Sequence, residues 1–395
     1  NLDPLGKMIE HGFHITGVVP NNEAIVAVAQ KVLGVETMSI LVVGLLMNLC
    51  IARFTKFKYV FLTGHHSLFM ACLMSAVLGT AGLSGIELIL VGGFLMGAWS
   101  AISPAIGQSY TSKVTDGDEI ALGHFGSLGY YLSAWVAKYV GKAEESTEDI
   151  EIPEKWGFLR DSTLSTALTM IVFYLIAAIA AGSEFVATLS GSMSPYLFAI
   201  MSAMNFAVGV AIVYSGVRMI LGDLIPAFQG IATKIIPNAI PAVDCAVFFT
   251  YAPTAVVLGF ISSFIGGIIG MLILGAVGGV LIIPGLVPHF FCGATAGIYG
   301  NATGGRRGAA VGAFLNGLAI TFLPALALPV LGQLGFQNTT FGDADFAVMG
   351  LVLGNAFEWI GMAGIYGIVV IAALVLIVPN FIKTKGKVIN YVEED

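Results

Sequence analysis

The sequence predicts an all-α polytopic membrane protein, and three observations carry that prediction. Apolar residues make up 57% of the 395 and charged residues only 10%, against roughly 25% charged in a soluble domain. Mean hydropathy is +0.91. The apolar runs are long and lack the period-two alternation of barrel strands. Glycine, at 50 residues, recurs four apart as Gly93/Gly97, Gly266/Gly270 and Gly275/Gly279, a spacing that lets helix backbones approach closely.

Taken in order, residues 1–35 are amphipathic and broken by Pro20-Asn21-Asn22-Glu23, so they read as a partly embedded element. The chain opens at Asn1 without an initiator Met or a signal-peptide pattern, and a further N-terminal segment is expected ahead of it. Thr37 to Phe54 is the first clear span. The basic loop after it, with Arg53, Lys56 and Lys58, is expected in the cytoplasm. Tyr59 to Gly79 is apolar but carries His65-His66. Glu87 to Ala105 is the next span. Ile120 to Val140, with His124, Ser127, Tyr130 and Lys138, is too polar to face lipid and reads as re-entrant or protein-buried.

Residues 141–160 form a charged loop with Glu144, Glu145, Glu148, Asp149, Glu151 and Glu154. Thr163 to Ala181 and Pro195 to Ile220 are ordinary spans. Leu221 to Tyr251 is expected to be broken by Pro226, Pro237 and Pro241. Thr254 to Ile283 is long and Gly-rich, and Pro284, Gly285 and Pro288 interrupt the next segment. Gly308 to Leu331 and Ala347 to Ile382 complete about nine to eleven membrane elements, counting broken pieces. The tail, 383–395, carries Lys383, Lys385 and Lys387 and is expected in the cytoplasm. The whole chain, 1–395, reads as one transporter unit. Val18-Val19-Pro20-Asn21 resembles Ile235-Ile236-Pro237-Asn238, each ahead of a span and a broken helix with a histidine (His65, His289). Such paired interruptions point to a binding site at the interface of two repeats.

Several function classes drop out. No basic stripe supports nucleic-acid binding. No Walker A pattern and no HExxH or equivalent metal spacing is present, so neither a metal nor a cofactor is expected. Cys50, Cys72, Cys245 and Cys292 lie singly in apolar stretches and read as small buried hydrophobes. There remains a set of polar residues at membrane depth, each beside Gly or Pro: His65, His124 and Asp244. Such groups are costly in lipid and mark a functional site by default. A neutral imidazole offers one donor and one acceptor, and a carboxylate accepts from hydroxyls, so the set suits a small polyhydroxy solute. The competing reading is helix-to-helix hydrogen bonding. Asn22 and Glu23, after the Pro20 turn, are further candidate contacts. His66, His289, His11 and His14 are weaker ones.

Along the whole chain, pieces in fixed order resemble the integral-membrane IIC component of the bacterial ascorbate phosphotransferase system, an ascorbate/galactitol-type permease. They are Leu62-Thr63-Gly64-His65, Val114-Thr115-Asp116-Gly117 leading to Gly123-His124, and Gly141-Lys142-Ala143-Glu144-Glu145. Gly216-Val217-Arg218-Met219, Ala227-Phe228-Gln229-Gly230, Asp244-Cys245-Ala246, Ala252-Pro253 and Ile282-Ile283-Pro284-Gly285 continue the series. The resemblance implies a multi-pass homodimer in the bacterial inner membrane. Each protomer would have a sugar-binding core domain and a V-shaped dimerisation domain, intertwined in sequence and moving as an elevator. It implies substrate contacts at His65, His124 and Asp244. It also implies that a separate cytoplasmic IIB protein, phosphorylated on cysteine and charged by IIA, performs the chemistry, so this chain would be permease rather than enzyme.

Four positions depart from the family's contacts. Asn22-Glu23 stands where the family has Thr-Tyr, and Phe69 and Phe125 stand where it has glutamines. A Gly-Ser contact, and one or two family helices, would precede Asn1. Aromatic faces in place of amides change which hydroxyls can be satisfied, and could stack on a sugar's C–H surface. The expected cargo is therefore L-ascorbate or a related sugar acid, with membrane lipid as the surrounding partner. The alternative is an ion-coupled secondary transporter of a small polar solute, with His65, His124 or Asp244 carrying protons.

Overall fold

The computed structural model describes residues 3–14, 16–117, 120–150, 162–332 and 339–382. Helices α1 (Asp3–Gly12) and α2 (Asn22–Phe54) flank strand β1 (Val19–Pro20). Strand β2 (Tyr59–Phe61) leads into α3 (Gly64–Thr80), α4 (Gly85–Val114), β3 (Ala121–Leu122) and α5 (Ser127–Val140). Then come α6 (Ser162–Ala181), α7 (Ser183–Ser190), α8 (Pro195–Lys234), β4 (Ile240–Val243), α9 (Cys245–Phe248) and α10 (Pro253–Ala276). Helix α11 (Leu286–Gly332), β5 (Thr339–Thr340), α12 (Ala344–Ile360) and α13 (Met362–Ile377) come last, closed by a 3₁₀ turn, Val378–Phe381.

Among the described residues, seven helices are long and apolar enough to cross a membrane. The chain is an all-α polytopic membrane protein. Three helices, α3, α5 and α12, have 17, 14 and 17 residues. At 1.5 Å per residue these reach only about 21–26 Å, short of the roughly 30 Å of hydrocarbon. Each starts directly after a short strand, so backbone groups left by the helix break are satisfied inside the protein, as the bilayer requires.

The structure departs from the sequence expectation in four places. Tyr59 to Gly79 is not a span but a strand followed by a half-helix. Asn22 to Phe54 is one continuous helix, because Pro20 lies ahead of its first turn, where proline breaks nothing. Pro195 to Lys234 is likewise one helix of 40 residues running through Pro226, and the break falls only at Pro237. Short parallel strands exist where none was expected, and Pro241 lies inside β4.

Two parallel sheets tie the molecule together. In one, β4 lies between β2 and β3; in the other, β1 pairs with β5, and Val18 also bridges Ile282. The strand ahead of each half thus pairs with strands of the other half. Matching the pairings puts β1 in correspondence with β4, whereas the sequence likeness sets Val18-Val19 against Ile235-Ile236, ahead of β4.

The two halves run in opposite directions. Gly93 meets Val43 and Gly97 meets Gly44 and Met47, so α2 and α4 are parallel. Gly266 meets Phe314 and Leu318, and Gly270 meets Thr321, so α10 is parallel to the second part of α11. The expected close approaches at these two glycine pairs are present. Gly275 and Gly279 instead sit at the end of α10 and in the turn after it.

Lys138 of α5 lies over the Tyr110 ring near the end of α4, and Gly141 meets Gly304 in α11. Glu148 accepts hydrogen bonds from the backbone N–H groups of Thr254 and Ala255 at the start of α10. Helices α4 and α5 therefore end on the face where α10 begins. Helix α11 turns on that face, at Gly304 and Gly305. Gly305 has φ +60°, and a Cβ on Gly304 would lie 2.2 Å from the Ala137 carbonyl oxygen. Arg53, Lys113, Lys138, Lys142, Arg306 and Arg307 cluster on this face. Lys56 joins them through bonds to Asn380 and Ile382 beyond α13. This is the face on which the positive-inside rule expects the cytoplasm. Residues 141–150 of the charged loop lie on it. The rest of that loop, from 151, and the tail 383–395 lie outside the described residues.

Candidate functional site

The sheet β2-β4-β3 aligns the three main candidates. His65 lies four residues beyond the end of β2, His124 two beyond β3, and Asp244 one beyond β4. Parallel pairing of Phe61 with Ala242, and of Leu122 with Val243, brings the three chain exits side by side. Gly123 makes this register possible, since a Cβ there would stand 2.3 Å from the Ala242 carbonyl oxygen.

Asp244 sits between the two imidazoles. His65 Nε2 is 3.7 Å from its Oδ2, and His124 Nε2 is 3.8 Å from its Oδ1. Both distances exceed the 2.7–3.2 Å of a direct N–H···O bond. Oδ1 also accepts the Cys245 backbone N–H at 2.6 Å, which fixes the carboxylate. His65 and Asp244 side chains are 54% and 34% exposed, whereas His124 is 3%. The group thus runs from an open mouth to a buried floor. His66 continues it inward: it is buried, and its ring centroid lies 3.8 Å from that of His124 and 4.7 Å from that of His65.

The two buried histidines are held in one tautomer. The Phe125 backbone N–H donates to His66 Nδ1 at 3.3 Å, and the Gly126 N–H donates to His124 Nδ1 at 3.2 Å. A backbone N–H can only donate, so each Nδ1 presents a lone pair and each Nε2 carries the proton. The Tyr130 hydroxyl, 2.9 Å from His124 Nδ1, is a second partner there. This arrangement does not suit a metal, although His66, His124 and Asp343 offer ligand atoms within 4.8 Å of one another, as do His124, Asp244 and Cys245. Ligation through Nε2 would move the ring proton to Nδ1, against a backbone N–H. Ligation through Nδ1 would displace the backbone bond. Metal-binding histidines instead donate their second N–H outward.

The remaining candidates separate. Phe69 is half-buried and edge-on to His65, with centroids 5.8 Å apart. Phe125 is fully buried, stacked on Phe61 at 4.5 Å and edge-on to Phe346. It lies in the packing beneath His66 rather than at the mouth. Asn22 belongs to the second sheet: its Nδ2 donates to Asp343 Oδ2 at 2.7 Å and its Oδ1 accepts the Gly342 N–H at 2.9 Å. The Glu23 side chain lies outside the described residues. His289 is buried away from this group, bonded to Ser263 Oγ at 2.9 Å. His11 stacks on Phe185, and His14 sits near it.

Sequence reasoning passes over Asp343 and Asp345. Asp343 is buried and also accepts a hydrogen bond from the Cys292 thiol at 2.9 Å. Asp345 accepts from Ser127 Oγ at 2.7 Å, the Leu128 N–H at 2.9 Å and Trp99 Nε1 at 3.2 Å, so it caps α5 from the opposite half. The signal was present: Phe341-Gly342-Asp343-Ala344-Asp345-Phe346 places two acids in an apolar stretch beside a glycine, much as Asp244 lies close to a proline.

The family model for the sugar-specific permease component of the PTS system (EIIC-GAT) matches residues 1–345. The ascorbate-specific PTS system EIIC component of Mycoplasma pneumoniae is 25% identical over an alignment covering 76% of this chain and 51% of that protein. The match thus takes in about half the length of that curated relative.

Proposed function

This chain belongs to the family of sugar-specific permease components of the phosphotransferase system, and on that premise we propose that it carries L-ascorbate or a related sugar acid across the bacterial plasma membrane. A separate cytoplasmic IIB protein, charged in turn by IIA, then phosphorylates the sugar on release. The carrier itself makes and breaks no covalent bond; trapping belongs to the partner, so modest affinity suffices.

The observation that carries this reading is the placement of Asp244 between His65 Nε2 at 3.7 Å and His124 Nε2 at 3.8 Å. Each gap is too long for a direct bond yet short enough for a hydroxyl that accepts from the imidazole and donates to the carboxylate. His124, buried and without such a partner, disfavours solutes that lack the hydroxyl. The sugar acid's negative charge would face His65, which alone of the three histidines has no backbone N–H on its ring among the described residues, together with the N-terminus of α3. Phe69, at the mouth, offers a face for the sugar's C–H surface.

The inverted halves and their exchanged strands support a binding site at the repeat interface. We take the half-helices and the two sheets as the sugar-binding core, and the chain as a homodimer whose V-shaped scaffold lets that core move as an elevator. Ion coupling is the second reading. The tautomer lock speaks against His66 and His124 as proton carriers, because a second ring proton would face a backbone N–H. His65 and Asp244 are left for that role.

The test is uptake into vesicles holding the purified chain, with and without IIA, IIB and a phosphoryl donor. Accumulation of phosphorylated ascorbate only with the full set is expected. Concentrative uptake without phosphotransfer proteins, abolished by an uncoupler, would overturn the reading.

A further inference from the structure

The two sheets present the same construction twice. In each, a polar residue just past the leading strand of one half meets one just past the last strand of the other: Asp244 with His124, and Asn22 with Asp343. The first pair stands apart at 3.8 Å, and the second is bonded at 2.7 Å. Asn22 is itself oriented by the Gly342 N–H on its Oδ1, so its Nδ2 is committed to Asp343. Cys292 holds the other carboxylate oxygen. Among the described residues no Lys or Arg pairs with Asp343 or with Asp244.

Asp343 is therefore a buried carboxylate anchored by two uncharged donors, in a place where an unpaired charge is costly. A carboxylate accepts about four hydrogen bonds, so its two anchors leave acceptor capacity unused. One of its oxygens lies within 4.8 Å of a ring nitrogen of His66 and of one of His124, which are themselves within that distance of each other. Three points no more than 4.8 Å apart fit in a circle of radius about 2.8 Å, so an oxygen atom held there would lie at hydrogen-bond distance from the carboxylate and from both rings. With each Nδ1 held by a backbone N–H, a ring can offer such an oxygen only its Nε2–H; that of His124 faces Asp244, so His66 is the donor left for an inner hydroxyl. From His124, shared with the outer group, the triangle extends the site inward.

We propose that Asp343 is a second substrate-contacting carboxylate, taking the proton of one substrate hydroxyl in a hydrogen bond within the triangle it forms with His66 and His124. This rests on the sugar-carrier reading and adds to it: the substrate is gripped from both halves, by Asp244 at the mouth and by Asp343 at the floor. Asn22 is then a positioning residue that acts through Asp343.

The test is equilibrium binding of L-ascorbate and its monodeoxy analogues to the purified full chain, comparing wild type with Asp343→Asn. Ascorbate should bind the variant about tenfold more weakly. For one deoxy analogue, wild type and variant should agree within about twofold, because the lost hydroxyl and the lost carboxylate are partners. Equal affinity for ascorbate, or the same loss for every analogue, overturns the assignment. If the wild type binds no sugar acid, the cargo reading fails by itself, and the same comparison is made with neutral polyols, galactitol and D-mannitol; binding of none of these would overturn Asp343 as well. Should Asp343→Asn not fold, cryo-electron microscopy of the ligand-bound wild type decides. A ligand oxygen within about 3.2 Å of the Asp343 carboxylate is expected, and its absence overturns the proposal.

Discussion

His124 Nε2 stands 3.8 Å from Asp244 Oδ1, while His124 Nδ1 is held by the Gly126 N–H at 3.2 Å and the Tyr130 hydroxyl at 2.9 Å. One edge of the ring is fixed by the protein and the other points at a gap. Tyr130→Phe removes one partner of the fixed edge and leaves the Gly126 bond. Binding of L-ascorbate to the purified variant should weaken about two- to fivefold, whereas His124→Ala should weaken it at least about tenfold. Titration calorimetry of both variants checks the ranking.

Gly123 is a tight point of the sheet that aligns the site, with 2.3 Å between an added Cβ and the Ala242 carbonyl oxygen. Gly123→Ala must push β3 away from β4. A loss of about 1–3 kcal/mol in stability is expected, together with weaker ligand binding. Gly117→Ser, in the loop ahead of β3 with open space at its Cβ but φ +91°, should strain the backbone without displacing His124. Thermal unfolding in detergent and ligand binding, read together, separate the two effects.

The two phenylalanines should respond oppositely to glutamine. Phe125 is fully buried against Phe61 and Phe346, so Phe125→Gln buries an amide without partners and should lower stability by about 2–4 kcal/mol. Phe69 is half-buried beside His65, so Phe69→Gln should fold normally and change the ranking of sugar ligands instead. Competition binding with a sugar panel, beside an unfolding curve, measures both.

The turn of α11 on the basic face depends on Gly304 and Gly305, whose added Cβ atoms would each meet a carbonyl oxygen at 2.2 Å. Gly305→Ala, at φ +60°, should reduce the yield of folded protein in membranes. Removing the exposed pair of Arg306 and Glu145, 3.9 Å apart, should change stability by less than about 1 kcal/mol. Fluorescence-detected size exclusion distinguishes the two.

Composition alone carries the membrane class, and the cost of ionisable groups at membrane depth singles out His65, His124 and Asp244, which the structure brings side by side. The features that stayed hidden did so because of periodicity. Half-helices and spans are equally apolar, so Tyr59 to Gly79 reads as a span although it is a strand and a half-helix. Pro226 looked like a break because proline in a helix usually is one, yet α8 continues through it. The exchanged strands are two to four residues long, too short for alternation to register. Asp343 and Asp345 are open to the same intramembrane-charge rule that singles out Asp244.

The most direct test of the central claim is the equilibrium binding of radiolabelled L-ascorbate to the purified chain and to Asp244→Asn. Saturable binding by the wild type, at least about tenfold weaker in a variant with the same unfolding temperature, is the predicted result. Equal affinity in the two proteins would contradict the site built around Asp244 and its two imidazoles.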